Sequence, residues 1–215
     1  LLLSELEKLF STESFAFDDT DIPENFGRSA VLVLLWQSPL GLKTVITKRA
    51  AHLTKHAGEM CFPGGVLDDG ESSSAGALRE FEEEMGVPRE SITVVGRLDD
   101  AWSGSGYHMV PIVGYVDFEP IFTPNEEVAG FFEIPLQIEH EISSVMVTAN
   151  GIDYVDPVLN YNGQKFYGLT TDILLEALEL LQGITSKRGE IRVEYLRRYM
   201  ASGVFELVVT PTDLP

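Results

Sequence analysis

A single cysteine, Cys61, stands in 215 residues, which excludes an intrachain disulfide and fits a reducing compartment. Long apolar runs are also missing. No stretch approaches the ~20 residues that a membrane-spanning helix requires, so the chain reads as soluble and intracellular with no membrane partner, and cytoplasm or organelle is left open. Basic residues are scarce: 15 Lys and Arg face 34 Asp and Glu, a formal net charge of −19. A surface that follows a phosphate backbone needs clustered cations, so nucleic acid is not expected as a partner. A small phosphorylated substrate is not excluded, because repulsion from surface charge fades over ~8 Å at physiological salt and a bound cation acts at contact range. There is no internal repeat, no low-complexity segment and no dividing linker. Residues 1–215 therefore read as one domain, and 44% hydrophobic content suffices for a sizeable core. The chain opens on LLLSELEKLF with no initiator Met, as expected of a sequence whose leading residues, with any targeting peptide, are missing. Monomer and homodimer are both left open.

What the chain does contain is one conspicuous stretch, 65–87, reading GVLDDGESSSAGALREFEEEMGV. The pattern predicts a Gly-rich turn and then a helix over 72–85, with a Ser at its amino end and Gly86 as its stop. At ~3.6 residues per turn, Glu80, Glu83 and Glu84 share a face and Glu82 falls away from it. A solvated acidic surface is the plain alternative. Acidic side chains at a helix carboxyl end, however, cost roughly 0.3–1 kcal/mol each, and like-charged neighbours add to this. A divalent cation among them reverses the local electrostatics. Oxygen-only ligands suit a hard ion such as Mg²⁺ or Mn²⁺, which keeps waters and bridges to phosphates.

The remaining pattern predicts a helix over 2–10, a polar loop over 11–28, and a hairpin of strands 30–36 and 44–47. A loop over 49–64 leads into the acidic helix. Strands follow near 92–98, 109–117 and 128–134, then hairpins over 144–168 with Asn150-Gly151 and Asn162-Gly163 turns. Helices over 171–182 and 189–200 come last. Strands on both sides of a central helix point to an α/β sandwich around a mixed sheet.

Gly65, five residues, Glu71, seven residues, then Arg79-Glu80-Phe81-Glu82-Glu83-Glu84-Met85-Gly86-Val87 resembles a complete Nudix box, the signature of hydrolases that cleave a diphosphate linked to another moiety. Upstream, over 45–65, Val45-Ile46-Thr47-Lys48-Arg49-Ala50, then Leu53, His56, Gly58, Glu59 and Phe62-Pro63-Gly64-Gly65 is similar to the signature of coenzyme A diphosphatases. It departs at the second basic position, where Thr54 stands and Lys55 is displaced by one. Asn125-Glu126-Glu127-Val128 and Tyr167-Gly168-Leu169-Thr170 extend the resemblance, which covers about 30–182 and leaves 183–215 unassigned.

The resemblance implies a Nudix-type α/β/α sandwich and hydrolysis of coenzyme A, or its acyl derivatives, to 3′,5′-adenosine bisphosphate and 4′-phosphopantetheine with Mg²⁺ or Mn²⁺. ADP-ribose, dinucleotides and nucleoside triphosphates are the alternative substrates, and a non-catalytic nucleotide-binding module is a third reading. Glu80 and Glu84 are expected as metal ligands, with Glu83 a third ligand or the general base. Arg79 is expected to hold Glu83 in place, and Glu71 either closes the turn or binds an outer metal. Glu126 and Glu127 are the other candidates for the base. Gly64 and Gly65 would let the backbone approach metal or phosphate. Arg49, with Lys55 and His56, would read the 3′-phosphate of coenzyme A, against a structural ion pair for Arg49. His52, His108 and His140 are expected to be ordinary, Trp36 to sit in the core, and Cys61 to be a structural thiol.

Overall fold

The computed structural model describes residues 3–11, 14–17, 21–39, 41–136, 141–149 and 152–201. Strand β1 (Gly27–Ser38) is apolar at successive positions because both of its faces are covered. Ala30, Leu32, Leu34 and Trp36 point to one side, and Val31, Val33 and Leu35 to the other. Strand β2 (Gly41–Arg49) folds back antiparallel in the expected hairpin, with Trp36 opposite Lys43 and Ser38 opposite Gly41.

Two short strands follow, β3 (Met60–Cys61) and β4 (Gly64–Val66), in a segment that the sequence pattern reads as loop. Two or three residues carry no alternation to detect, and their pairing is supplied by the neighbours: β3 on β2, and β4 on the first half of β1. Helix α1 (Leu3–Phe10) precedes the sheet and helix α2 (Ser73–Met85) follows β4. Next come β5 (Thr93–Arg97), β6 (Ala101–Ser103), β7 (Tyr107–Val116) and β8 (Val128–Pro135). Of these, β6 is too short to have been read from the sequence.

Strand β7 runs parallel to β1 over their whole shared length, while the other pairings are antiparallel, so the eight-stranded sheet is mixed. Helix α2 covers one face with Ala77, Phe81 and Met85. Helix α1, with Leu6 and Phe10, covers the other beside α3 (Leu169–Leu181), with Ile173, Leu174 and Ala177. This is the α/β/α sandwich. Full burial of a side chain such as Phe81 contributes roughly 1.5–3 kcal/mol, and its apolar face anchors α2 although the last two turns are acidic.

A separate three-stranded sheet holds β9 (Glu141–Ala149), β10 (Ile152–Tyr161) and β11 (Gln164–Tyr167). Asn162 and Gly163 turn β10 into β11 with φ of 51° and 74°, the positive pair that a two-residue hairpin needs. The Asn150-Gly151 turn and His140 lie outside the described residues. Helix α4 (Arg188–Ala201) docks through buried charge: Asp99 accepts the backbone N–H of Phe15 at 2.7 Å and of Gly189 at 2.8 Å, while Arg192 bridges Asp172 and Glu176.

Asp156, on β10, accepts the N–H of Gly168 at the start of α3, yet burial pushes its carboxyl up to about 6. An acid whose pKa rises on folding loses stability as pH climbs from its ordinary value near 4 to the raised one. Asp156→Asn keeps an acceptor for Gly168 and removes the charge. It is expected to unfold at higher denaturant than the parent above pH 6, by roughly 1–2 kcal/mol after allowing for part exposure, with the gain absent at pH 4. Equal midpoints at pH 8 would show that burial does not penalise this carboxylate.

Candidate active site

Helix α2 starts where Ser72 accepts the N–H of Ala75 at 3.2 Å, and it stops at Gly86, with φ 74°. Its carboxyl-end carbonyls are satisfied by a neighbouring loop: Asn125 N–H donates to Glu84 O at 3.0 Å and Thr123 N–H to Met85 O at 2.9 Å. That docking brings Glu127 to the acidic end of the helix.

Strand β4 passes the same region from the other side. A Cβ at Gly64 would lie 2.3 Å from Ala30 O and 2.5 Å from Val31 Cα, and one at Gly65 would lie 2.5 Å from the Glu80 carboxyl carbon. Only glycine allows this approach. In exchange Gly64 N–H donates to Glu84 Oε2 at 3.1 Å. The two glycines thus form a cradle against which Glu80 and Glu84 rest.

Glu84 is 4% exposed. Its carboxylate has that one N–H and, at 3.7 Å, the Arg49 guanidinium. Burial pushes it up to about 7, and Gly64, Arg49, Glu80 and Glu127 supply the smaller contributions. A buried carboxylate with so little compensation, beside a second carboxylate, is a donor set that a hard divalent cation fits. Glu83 is exposed and Glu82 turns away to pair with Arg89, as the helical spacing requires.

Arg79 differs from expectation. Its main partner is Glu71 rather than Glu83: Nε donates to Glu71 Oε1 at 3.0 Å and Nη2 to Oε2 at 2.9 Å, in a two-pronged contact. Nη2 also reaches Val66 O at 3.2 Å, Nη1 donates to Glu80 at 2.8 Å, and Glu83 is only a 3.5 Å neighbour. A fork of five donors satisfies the planar carboxylate across the turn before it reaches one turn along the helix. Arg79 and the N–H of Asp68 hold the Glu71 carboxyl down to about 2. Glu71 therefore closes the turn. Among the described residues no three His, Cys, Asp or Glu side chains converge closely enough to enclose an ion, and Arg79 Nη1 stands between Glu80 and Glu83.

Arg49 ends β2 with its guanidinium between carboxylates, 3.7 Å from Glu84 and 3.9 Å from Glu127. Its Nε is buried and has no hydrogen-bond partner among the described residues. Lys55 and His56 lie elsewhere on the same loop, facing the turn between β6 and β7. Lys55 Nζ sits 5.6 Å from the Tyr107 ring centre, and His56 touches Glu59 and Ser105. The three basic residues that look like one group in the sequence are thus divided between two places. Exposed Glu126 makes no ion pair among the described residues. Burial pushes the Cys61 thiol up to about 11, so it is neutral and no nucleophile. Trp36 is fully buried, His52 is exposed, and His108 pairs with Asp100 at 3.0 Å inside the protein. Ser103, Ser105 and Tyr107 were not singled out by sequence reasoning; the Ser-Gly-Ser-Gly-Tyr run is a turn signal that could have drawn notice.

The family model of the NUDIX domain matches residues 27–162. The uncharacterized Nudix hydrolase NudL of Yersinia pestis (strain Pestoides F) is 41% identical over 152 residues, covering 68% of this chain and 76% of its own. NudL of Yersinia pseudotuberculosis serotype O:1b (strain IP 31758) matches to the same extent, 41% over 152 residues. Among solved structures, the Nudix hydrolase RenU from M. Smegmatis has a TM-score of 0.45 at 22% identity, covering 52% of this chain and 71% of its own. A MutT/nudix family protein from Enterococcus faecalis has a TM-score of 0.48 at 15% identity, covering 94% and 81%.

Proposed function

Because the chain belongs to the Nudix family and is a hydrolase of pyrophosphate bonds, we propose that its substrate is coenzyme A or an acyl derivative, cut to 3′,5′-adenosine bisphosphate and the corresponding 4′-phosphopantetheine. The observation that carries this reading is the position of the 45–65 segment. In a chain of net charge −19, its one guanidinium, the half-buried Arg49, lies against the acidic end of α2, and Lys55 sits on the adjoining loop over the Tyr107 ring.

Nudix hydrolases work with divalent metal ions, and Mg²⁺ or Mn²⁺ suits the oxygen donors here. Glu80 and Glu84 would hold the metal, with Glu83 as the further ligand once Arg79 yields it. When bound, such an ion neutralises diphosphate charge and lowers the pKa of an attacking water. The chain's own residues do the rest. Arg79 fixes Glu80 and, through Glu71, the turn that follows the strand of the two cradle glycines. The N–H of Gly64 holds Glu84 in the orientation that points its second oxygen toward Arg49. Arg49 offers a fork of donors to a diphosphate that enters between Glu84 and Glu127.

The geometry therefore supports a role for Arg49 at the diphosphate, which all the candidate substrates share, and leaves the 3′-phosphate to Lys55. A charge-assisted contact to phosphate has a net worth of roughly 1.5–3 kcal/mol, so losing Arg49 should lower kcat/KM about ten- to a hundredfold. Arg49→Ala is expected to depress coenzyme A and dephospho-coenzyme A alike. Lys55→Ala is expected to depress coenzyme A and leave dephospho-coenzyme A, which lacks the 3′-phosphate, nearly untouched. If Lys55→Ala shifts both substrates equally, this loop does not select coenzyme A.

A further inference from the structure

The loop 50–58 does not stand alone in solvent. Backbone bonds from Arg49 N–H to Glu59 O at 2.9 Å and from Gly58 N–H to Arg49 O at 3.1 Å close its base. His56, whose carbonyl accepts the Glu59 N–H at the closing end of the loop, holds φ at 55°, a left-handed conformation uncommon outside glycine, and both of its ring nitrogens are engaged. Nδ1 lies 2.9 Å from Glu59 Oε2, and Nε2 lies 3.2 Å from Ser105 Oγ. Ser105 Oγ is in turn 2.9 Å from Ser103 Oγ, which accepts the Tyr107 N–H at 3.3 Å. Lys55 covers the Tyr107 ring beside them. This polar surface spans two segments far apart in the chain, and the hydrolytic chemistry uses none of it.

The direction of each hydrogen bond follows from what the groups can do. A carboxylate only accepts, so His56 Nδ1 carries a hydrogen. With the imidazole neutral, Nε2 is an acceptor and consumes the Ser105 hydroxyl hydrogen. With it protonated, Nε2 donates to Ser105 Oγ instead. Ser103 donates to Ser105 Oγ in both states, so once Nε2 is a donor as well the Ser105 hydroxyl hydrogen is no longer held by the ring and can turn outward, on the surface where Lys55 lies over the Tyr107 ring. Building on the coenzyme A reading, we propose that Lys55 and Ser105 bind the substrate's phosphomonoester, its 3′-phosphate, and that His56 is a positioning residue whose protonation turns the Ser105 hydroxyl outward to meet it. Ser105 is thus a specificity-determining residue on the β6–β7 turn.

Among the described residues the charged groups that face His56 are Glu59, Lys55 and Arg49, and residues 103–107 of the turn include no Asp, Glu, Lys or Arg. The hydrogen bond to Glu59 raises the His56 pKa above its ordinary 6.5, against the lowering by burial, Arg49 and Lys55. A raised imidazole pKa means that the charged form is complete below it and lost as pH climbs through it. Phosphomonoester binding therefore weakens on the alkaline side.

Calorimetric titration of the full chain with adenosine 3′,5′-bisphosphate and with 5′-AMP, at pH 7 and pH 9 where both phosphates are dianionic, tests this. The bisphosphate is expected to bind about five- to tenfold more weakly at pH 9, with AMP changed far less. Ser105→Ala should weaken the bisphosphate at pH 7 by a similar factor and abolish the pH difference. His56→Gln, which can still bridge Glu59 and Ser105, should abolish the pH difference and keep the melting temperature. If Ser105→Ala alters both ligands equally or neither, or if the bisphosphate binds equally at both pH values in the parent, the proposal is overturned. Ligands are measured here without turnover, so a failure of this test is distinct from a failure to hydrolyse coenzyme A, which would count against the substrate reading alone.

Discussion

Glu84→Gln is expected to lower turnover by roughly 10³-fold or more while leaving the fold in place, since charge stabilisation by a metal is worth several kcal/mol and each ~1.4 kcal/mol is tenfold. The substitution keeps shape, and its amide oxygen can still accept the Gly64 N–H that Glu84 now takes at 3.1 Å. What it removes is the negative charge in a place that is 4% exposed and, among the described residues, has no ion-pair partner but Arg49 at 3.7 Å. The same change separates binding from chemistry. Adding Mg²⁺ or Mn²⁺ is expected to raise the melting temperature of the parent, through binding to the folded state only, and to leave that of the variant where it was. Near-parental turnover at saturating metal would remove Glu84 from the site.

The second large effect concerns the general base, a contribution typically worth about 10²–10⁴-fold. The candidates Glu83, Glu126 and Glu127 are all exposed, but Glu83 and Glu127 each lie beside an Arg, whereas Glu126 makes no ion pair among the described residues. Glu127 stands across from α2, beside Arg49 at 3.9 Å, on the loop whose N–H groups cap the helix. Glu83 is on the helix with the expected ligands and within 3.5 Å of Arg79. A base must face the diphosphate from outside the ligand set, and that favours Glu127. Glu127→Gln is therefore expected to cost the full factor in kcat at saturating metal. Glu83→Gln should instead raise the metal concentration needed for half-maximal rate, and Glu126→Gln should stay within twofold. Full activity in both Glu83→Gln and Glu127→Gln would put the base elsewhere.

Much of this was legible in the sequence because the relevant signals are local. The spacing of Glu80, Glu83 and Glu84 on one helix, the Ser72 start and the Gly86 stop are properties of a dozen consecutive residues, and the structure has them as read. The apolar run of β1 announced a strand, and the structure has one, buried on two faces. What escaped is what tertiary pairing decides. Strands β3, β4 and β6 exist only because longer neighbours pair with them. The partner of Arg79 is set by how the 66–71 turn folds under it, eight residues away, so the i,i+4 rule named Glu83 where Glu71 prevails. Arg49, Lys55 and His56 sit close in sequence, but Arg49 ends a strand and points at α2, whereas the other two ride a loop that leans on residues 103–107. No local pattern connects position 56 to position 105.

The most direct test of the account is product analysis with coenzyme A, dephospho-coenzyme A, ADP-ribose, a diadenosine polyphosphate and a nucleoside triphosphate, each incubated with the full chain and Mg²⁺ or Mn²⁺. The account predicts that 3′,5′-adenosine bisphosphate and 4′-phosphopantetheine appear from coenzyme A with the highest kcat/KM of the panel, and that a chelator stops their release. Rapid cleavage of ADP-ribose or the triphosphate with no adenosine bisphosphate released from coenzyme A would contradict it.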